Sequence, residues 1–260
     1  MSFAYKRVLL VGATAGIGAA FADKLILEGA KVIAVGRRQE RLDAFVQKHG
    51  QEKASSVQYD VNDRAGMDAF VEGIVSQYPD LDCVFLNSGV QAQYRLLRPA
   101  EVDLDAFHRE MSTNFSRLVD LSIKFLSHLQ QKPFSTALLF TTSNIAMIPA
   151  MPSPAYSASK AALNAYIYCL RRQIQGRAPE SLRSRRRWFR IHDYMGVERG
   201  RKMGMPVDEF VEAAWAQLAE GSDHVIVGAM PPADKFMDLV KGRREIFENL
   251  SDIMAAHFQL

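Results

Sequence analysis

Short apolar runs alternate with longer amphipathic segments along the chain. Apolar residues at positions 17, 21 and 25, and again at 42, 45 and 46, recur at the spacing of one helix face. Because strands buried on both faces are almost continuously apolar, this alternation predicts a parallel sheet with helices on both sides. The predicted strands are Lys6–Val11, Val32–Val35, Ser56–Tyr59, Cys83–Leu86, Ala137–Thr141 and His224–Val227.

The chain has no internal repeat and no low-complexity linker, so we expect a single domain over residues 1–260. A late amphipathic segment at 208–220 predicts a further helix with one apolar face. The fold class is therefore α/β, with one doubly wound parallel sheet. The six apolar runs are expected to form strands. A further strand between the fifth and the last of these runs, the sixth in chain order, is doubtful because an arginine-rich segment takes its place.

A glycine-rich turn, Gly12-Ala13-Thr14-Ala15-Gly16-Ile17-Gly18, connects the first predicted strand to the first helix. Glycine permits the tight turn and lets the backbone approach a phosphate closely. The N–H groups and the dipole at the start of a helix attract a pyrophosphate. The position of the turn favours a Rossmann-like, dinucleotide-binding fold over a merely structural turn. The residues expected to contact the cofactor are Gly12, Thr14, Gly16, Ile17 and Gly18.

The end of the second strand indicates which dinucleotide fits. An NAD site usually has an acidic residue here, about 20 residues past the turn, to bind the ribose 2′-hydroxyl. This chain has Gly36-Arg37-Arg38 instead. Two guanidinium groups favour a 2′-phosphate through charge-assisted, bidentate bonds. We therefore expect NADP(H), with Arg37 and Arg38 at its 2′-phosphate; a solvated basic helix start is the alternative.

Further motifs follow in a fixed order: Asp60-Val61, Asn87-Ser88-Gly89, Asn114, Ser143 and Tyr156-xxx-Lys160. A lone Tyr-xxx-Lys pair means little, since chance supplies roughly a third of a match in this composition. The order of the motifs, and the position of Tyr156 after Ser143 at the start of a helix, are far more specific. Over about residues 5–176 the chain resembles the short-chain dehydrogenase/reductase family of the ordinary short type.

The resemblance implies a role for each motif. On the cofactor side, Asp60 with Val61 would bind the adenine, and Asn87 with the backbone through Gly89 would line the adenine-ribose channel. On the catalytic side, Ser143 would bind the substrate carbonyl, and Tyr156 would transfer the proton. Tyr156 and Lys160 would also contact the cofactor, where Lys160 would hold the nicotinamide ribose. The resemblance also implies that Asn114 keeps a helix kinked around a water of a proton relay.

Elementary chemistry supports the Tyr156–Lys160 pair independently. A free tyrosine titrates near pH 10, so about 4 kcal/mol of relative phenolate stabilisation is needed at neutral pH. Residues four apart on a helix lie on one face, about 5–6 Å apart. A lysine ammonium at that distance favours the phenolate, which makes the phenol a competent general acid/base.

One segment departs strongly from the family. After the Tyr-Lys helix the family has an apolar strand that ends in Pro-Gly, followed by a substrate loop. This chain has no Pro-Gly, and residues 177–190 are rich in arginine, so only 188–191 suit a central strand. Three interpretations stay open: a surface excursion, an anion-binding segment, or a local reading-frame or splicing error. The abrupt loss and return of family character favours the third.

Charge and composition exclude several classes of function. Residues 171–190 carry a net charge of +7, which leaves −4 on the rest of a chain whose total is +3. No nucleic-acid motif surrounds this stretch, so no nucleic-acid partner is expected. No apolar run approaches the ~18 residues of a membrane span. The histidines lack i,i+4 pairs, so no metal is expected, and Cys83 and Cys169 are both expected to be buried.

The sequence thus predicts an NADP(H)-dependent oxidoreductase that interconverts a small-molecule carbonyl and its alcohol. The alternative is a cofactor-binding redox sensor or inactive family member, since the nicotinamide pocket would be incomplete if residues 177–191 are genuine. Residues 191–260 are expected to supply the substrate loop and C-terminal helices. From the resemblance we expect a cytoplasmic homodimer or homotetramer that pairs helices around 105–131 and 154–176.

Overall fold

The computed structural model describes residues 3–177, 186–193 and 205–258, with side chains described for 3–174 and 205–255. Seven strands form one sheet in the order β3-β2-β1-β4-β5-β6-β7, and every pairing is parallel. The strands are β1 Arg7–Val11, β2 Lys31–Gly36, β3 Ala54–Gln58, β4 Cys83–Leu86, β5 Thr136–Ser143, β6 Arg186–Asp193 and β7 His224–Ile226.

Eight α-helices lie within the described residues. They are α1 Gly16–Leu27, α2 Gln39–His49, α3 Met67–Gln77, α4 Leu104–Met111, α5 Arg117–Gln130, α6 Pro154–Arg177, α7 Val207–Ala219 and α8 Ala233–Phe258. A π-helical segment, Ser112–Ser116, joins α4 to α5, and short 3-10 turns occupy Pro99–Glu101 and Asn144–Ala146. None of the described helices combines the length and apolar character needed to cross a membrane.

The alternation along β1 explains the two-sided core. Val8 and Leu10 point into the layer formed by α1, α2 and α7, where the core includes Phe21 and Trp215. Leu9 and Val11 are buried in the opposite layer, beneath α3, α5 and α6. Because successive side chains of a strand point to opposite faces, both faces are buried only if the whole strand is apolar. The predicted doubly wound α/β fold is confirmed.

All six predicted strands are present, with ends that shift by at most a few residues. In addition, β6 occupies the place of the doubtful strand, paired with β5 on one side and β7 on the other. Its eight residues, Arg186–Asp193, exceed the four that the apolar pattern favoured, because backbone pairing does not depend on side-chain polarity. Outside the described residues lie the rest of the arginine-rich segment, at 178–185, and residues 194–204, which were expected to belong to the substrate loop.

One prediction about the cysteines is wrong. Cys83 is buried in β4 as expected, but Cys169 is exposed. Cys169 lies two positions after the buried Ile167 on α6, and two helical steps carry a side chain about 200° around the axis. Cys169 therefore lies on the outward face of the helix, although its neighbours in the sequence are apolar.

Candidate active site

The glycine turn lies at the carboxyl edge of the sheet, where β1 and β4 meet. The N–H groups of Gly12 and Ala13 both donate to the Val35 carbonyl at 2.9 Å, which fixes the turn to the end of β2. Gly12 has φ +95°, in the left-handed region that favours glycine. The order of strands reverses its direction of growth between β1 and β4, and such switch points are where open α/β sheets bind ligands.

Close packing behind the turn requires a second glycine. A Cβ on Gly18 would lie 2.0 Å from the Gly12 carbonyl oxygen and 2.5 Å from Nδ2 of Asn87. The start of α1 is thereby held against the turn. Among the described side chains none caps this helix, whose N-cap residue is Ala15, and its first turn contains no acidic residue. These features leave the helix N-terminus suited to an anionic group.

Asn87 braces the turn from behind. Its Nδ2 donates to the Gly12 carbonyl at 3.1 Å, while its Oδ1 accepts from the Thr141 hydroxyl at 2.7 Å. The side chain therefore connects β1 to β5 across the end of β4. This positioning role adds to the cofactor-channel role that the resemblance implied.

The arginines expected at the 2′-phosphate lie beside the turn. Arg38 donates from Nε and Nη2 to the Thr14 hydroxyl at 3.2 and 2.9 Å. Arg37 is exposed, and its Nη1 lies 3.8 Å from a carboxylate oxygen of Asp60. Arg41, on the first turns of α2, donates to the Thr14 carbonyl at 3.0 Å. Sequence reasoning missed Arg41, although its position three residues after Arg38 places both on one side of a helix.

The predicted adenine residues flank these arginines. Asp60 follows β3 and accepts a hydrogen bond from the Asn62 N–H at 3.0 Å through Oδ1, which orients the carboxylate. Val61 is buried and belongs to the core beneath α3. The structure thus places Asp60 and Arg37 together at the edge of the sheet, beside the end of β2.

Lys160 is the most buried charged side chain of the site. It is 1% exposed, and its Nζ donates to the Thr141 carbonyl at 2.9 Å. The same Nζ lies 5.5 Å from the ring centroid of Tyr156, which is 5% exposed. A Cβ on Gly89 would be 3.5 Å from this Nζ. The fixed ammonium therefore adjoins both the Tyr156 ring and the loop after β4.

Asn114 is fully buried in the π-helical segment. Its Oδ1 accepts from the Val90 N–H at 2.8 Å, and its Nδ2 donates to the Val90 carbonyl at 2.8 Å and to the Ser159 hydroxyl at 3.2 Å. A π-helical turn interrupts regular helical bonding and often marks a functional site. The helix thus departs from regular α-helical bonding at this residue, while the kink and the relay water that the resemblance implied stay predictions.

Ser143 ends β5 at the same edge of the sheet. It is buried, and its hydroxyl oxygen accepts from the Ile145 N–H at 3.3 Å. It lies two residues beyond Thr141, whose carbonyl holds Lys160. The structure therefore gathers the residues predicted to be catalytic, Asn114, Ser143, Tyr156 and Lys160, where β4, β5 and the start of α6 converge. No cluster of His, Cys, Asp or Glu able to hold a metal occurs in the described ranges.

Comparison with known proteins identifies relatives of this chain. A family model described as short chain dehydrogenase matches residues 6–178. The uncharacterized oxidoreductase DltE of Bacillus subtilis is 33% identical over 180 residues, which cover 69% of this chain and 70% of that protein. The NADP-dependent 3-hydroxy acid dehydrogenase YdfG of Salmonella typhi is 28% identical and covers 66% and 67%, respectively.

The benzil reductase ((S)-benzoin forming) IRC24 of Saccharomyces cerevisiae is 30% identical, and the match spans 61% of this chain and 62% of the yeast protein, less than two thirds of its length. Among solved structures, a short chain dehydrogenase from Burkholderia cenocepacia J2315 in complex with NADP has a TM-score of 0.74 at 24% identity, covering 96% of this chain and 99% of that one. A Burkholderia phymatum enzyme in complex with NAD has a TM-score of 0.73 at 15% identity, covering 87% and 90%. Both show a likeness of fold.

Proposed function

Because this chain belongs to the short chain dehydrogenase family and is an oxidoreductase, we propose that it uses NADP(H) to interconvert a ketone or aldehyde and its alcohol. Tyr156 is the general acid/base of this proposal. The observation that carries it is the burial of Lys160 with its ammonium fixed against Tyr156. Burying a cation costs free energy. Beside a phenol, the positive charge would stabilise the phenolate.

The turn residues fit a nicotinamide dinucleotide. Close packing at Gly12 and Gly18 holds the turn and the start of α1 together as a cradle for the pyrophosphate, and the N-terminus of α1 provides a favourable dipole. Arg38 and Arg37 would meet the 2′-phosphate, and Lys160 would bind the nicotinamide ribose. When bound, the cofactor supplies hydride chemistry.

The remaining chemistry belongs to side chains of the chain. Ser143 donates a hydrogen bond to the substrate oxygen, which orients the carbonyl in reduction. The Tyr156 hydroxyl gives its proton to that oxygen, and in the reverse direction the phenolate removes it. Lys160 stabilises the phenolate through its positive charge. Asn114 holds the loop after β4 at Val90, beside this proton-transfer site.

The NADP(H) preference rests on the arginines, and it yields a prediction. Replacing Arg38 with serine is expected to raise KM for NADPH about 10- to 100-fold, since one charge-assisted contact to phosphate is lost. KM for NADH should change less than about twofold, because NADH has no 2′-phosphate. Steady-state kinetics with the two cofactors measure the change.

Lys132→Ala is the matched control for this experiment. Lys132 is a half-buried cation near the opposite edge of the sheet, where its Nζ donates to the Pro79 carbonyl. Its replacement removes the same formal charge and should leave both KM values as in the wild type. Equal loss of NADPH and NADH binding in Arg38→Ser would contradict a 2′-phosphate role and indicate disruption of the turn at Thr14.

The reaction class is tested with the purified chain. NADPH is mixed, in separate reactions, with benzil, a 3-oxo acid and an aliphatic ketone, and both cofactor consumption and alcohol formation are followed. We expect turnover of at least one carbonyl. NADPH binding without consumption for any of them would refute the reductase proposal and favour the cofactor-binding sensor, which the lack of Pro-Gly after α6 supports.

The assembly and location follow from the resemblance. We propose a single-domain, cytoplasmic protein that forms a homodimer or homotetramer through α4, α5 and α6. The exposed Ile123 on α5 is consistent with such a contact. Light scattering on the purified protein distinguishes these states from a monomer.

A further inference from the structure

A buried carboxyl group lies on α4, one helical turn before Asn114. Glu110 is 2% exposed. Its Oε2 accepts hydrogen bonds from the Ala92 N–H at 3.2 Å and from the Tyr94 hydroxyl at 3.0 Å, whereas no described group bonds its Oε1. Burying an acid that is only partly hydrogen-bonded costs stability. A buried carboxyl group of this kind is expected to have a structural or functional role that offsets its cost in stability.

The group that Glu110 holds is a short stretch of the loop after β4, residues 90–94, here called the entrance segment. At one end, Val90 is bound through both its N–H and its carbonyl to Asn114. The preceding residue, Gly89, faces the Lys160 ammonium. The entrance segment therefore starts in direct contact with the proposed catalytic residues.

At its other end the entrance segment is tied to the residues before α6. The Tyr94 N–H donates to the Pro152 carbonyl at 3.0 Å, and Nε2 of Gln91 donates to the Ser153 hydroxyl at 3.2 Å. Tyr156 follows within one helical turn. The entrance segment thus spans the gap between Lys160 and the start of the helix that carries Tyr156, so it borders the proposed proton-transfer site.

Glu110 and Asn114 act on this segment as a pair. They are four residues apart, so they lie on one face of the helix. Asn114 holds the backbone at Val90, and Glu110 holds it two residues later at Ala92. Two anchors at alternate residues set both the position and the direction of the segment, which one anchor would not do.

The electrostatic surroundings agree with this holding role. Burial raises the pKa of Glu110, and the bonds from Tyr94 and Ala92 oppose that rise. Burial and the adjacent carboxyl raise the pKa of Tyr94 to about 12, so its hydroxyl stays protonated and able to donate. The exposed charges of Arg109 and Asp103, whose side chains lie 3.8 Å apart, also act on Tyr94.

We propose that Glu110 is a positioning residue that fixes the entrance segment, and that it thereby sets KM for the carbonyl substrate. The proposal rests on the reductase function proposed above. Glu110 touches neither Tyr156 nor Lys160 through any described hydrogen bond, and those two are held by α6 and β5. Loss of Glu110 therefore changes substrate binding and leaves proton transfer largely intact.

The test compares Glu110→Ala, which removes the acceptor, with Glu110→Gln, whose amide oxygen can take the place of Oε2. Two quantities are measured: amide hydrogen exchange of residues 90–94, and KM and kcat for whichever carbonyl of the panel is reduced. For Glu110→Ala we expect exchange at least about tenfold faster and KM raised about tenfold, with kcat changed less than threefold. Glu110→Gln should restore both to within about threefold of the wild type.

Asp82→Asn is the control for a merely structural role. Asp82 is also buried, but it accepts from the Lys6 and Arg7 N–H groups at the opposite edge of the sheet. Its substitution should lower the melting temperature and leave both the exchange of residues 90–94 and KM unchanged. If Glu110→Ala does not fold, Tyr94→Phe removes one of the two donors and should raise KM about threefold.

The outcomes separate this proposal from the reductase function. Wild-type exchange of residues 90–94 in Glu110→Ala, or in Tyr94→Phe if the alanine variant does not fold, overturns the positioning role. Faster exchange with KM within twofold of the wild type overturns the link to substrate binding. If the wild type reduces no carbonyl, the reductase function fails, and hydrogen exchange alone still decides whether Glu110 positions the segment.

Discussion

Replacing Tyr156 with phenylalanine is expected to lower kcat for carbonyl reduction by about 10³-fold, within the range ascribed to a general acid/base. The substitution removes one hydroxyl and keeps the ring, so the packing of a residue that is 5% exposed should survive. The ring also keeps its position near the Lys160 ammonium. NADPH affinity, measured by fluorescence titration, should change by less than about threefold, because the turn, the arginines and Lys160 would still hold the cofactor while the lost hydroxyl acts on the substrate oxygen.

Tyr166→Phe is the matched control on the same helix. Its hydroxyl is hydrogen-bonded to that of Ser122 at 2.7 Å, in the layer between α5 and α6. Loss of that bond should cost about 1 kcal/mol of stability, with kcat unchanged. If Tyr156→Phe retains wild-type kcat, Tyr156 is not the acid/base and another group must transfer the proton.

Replacing Gly18 with alanine is expected to weaken NADPH binding by more than about 100-fold, which corresponds to roughly 3 kcal/mol. The added Cβ would lie 2.0 Å from the Gly12 carbonyl oxygen, so α1 must move away from the turn. Asn87 would lose its bond to that carbonyl, and the pyrophosphate cradle would open. Overpacking of this kind also destabilises by about 1–3 kcal/mol. Fluorescence titration and thermal unfolding measure the two effects.

Gly73→Ala provides the control for this glycine substitution. Gly73 lies inside α3, and a Cβ there would meet no atom within 4 Å. Alanine should therefore stabilise the helix by about 0.5–1 kcal/mol and leave NADPH binding unchanged. Wild-type affinity in Gly18→Ala would contradict the tight turn as the basis of cofactor binding.

The positions of the strands could be predicted because a strand buried on both faces has an almost continuously apolar sequence. Leu9 and Val11 serve one layer of the core, while Val8 and Leu10 serve the other. The same reasoning was insufficient for β6. Its arginine-rich sequence does not resemble a central strand, yet the backbone pairs with β5 and β7.

The catalytic candidates came from the order of the family motifs, and helix spacing independently places Tyr156 and Lys160 on one face. Their surroundings could not be predicted. Thr141 holds Lys160 through a backbone carbonyl, which any residue type could supply. Glu110 reaches Ala92 across 18 positions of the chain. Neither contact follows a local period or a motif, so no pattern in the sequence indicates it.

By itself the sequence determined the fold class, the family, the glycine turn and the order of the candidate residues. These features depend on periodicity and on short spacings, which a linear chain records directly. Only the tertiary structure decided which distant groups meet: Asn87 between Gly12 and Thr141, Arg41 at the turn, and Glu110 on the entrance segment. The physical reason is that such contacts depend on how strand ends and helix faces come together in space.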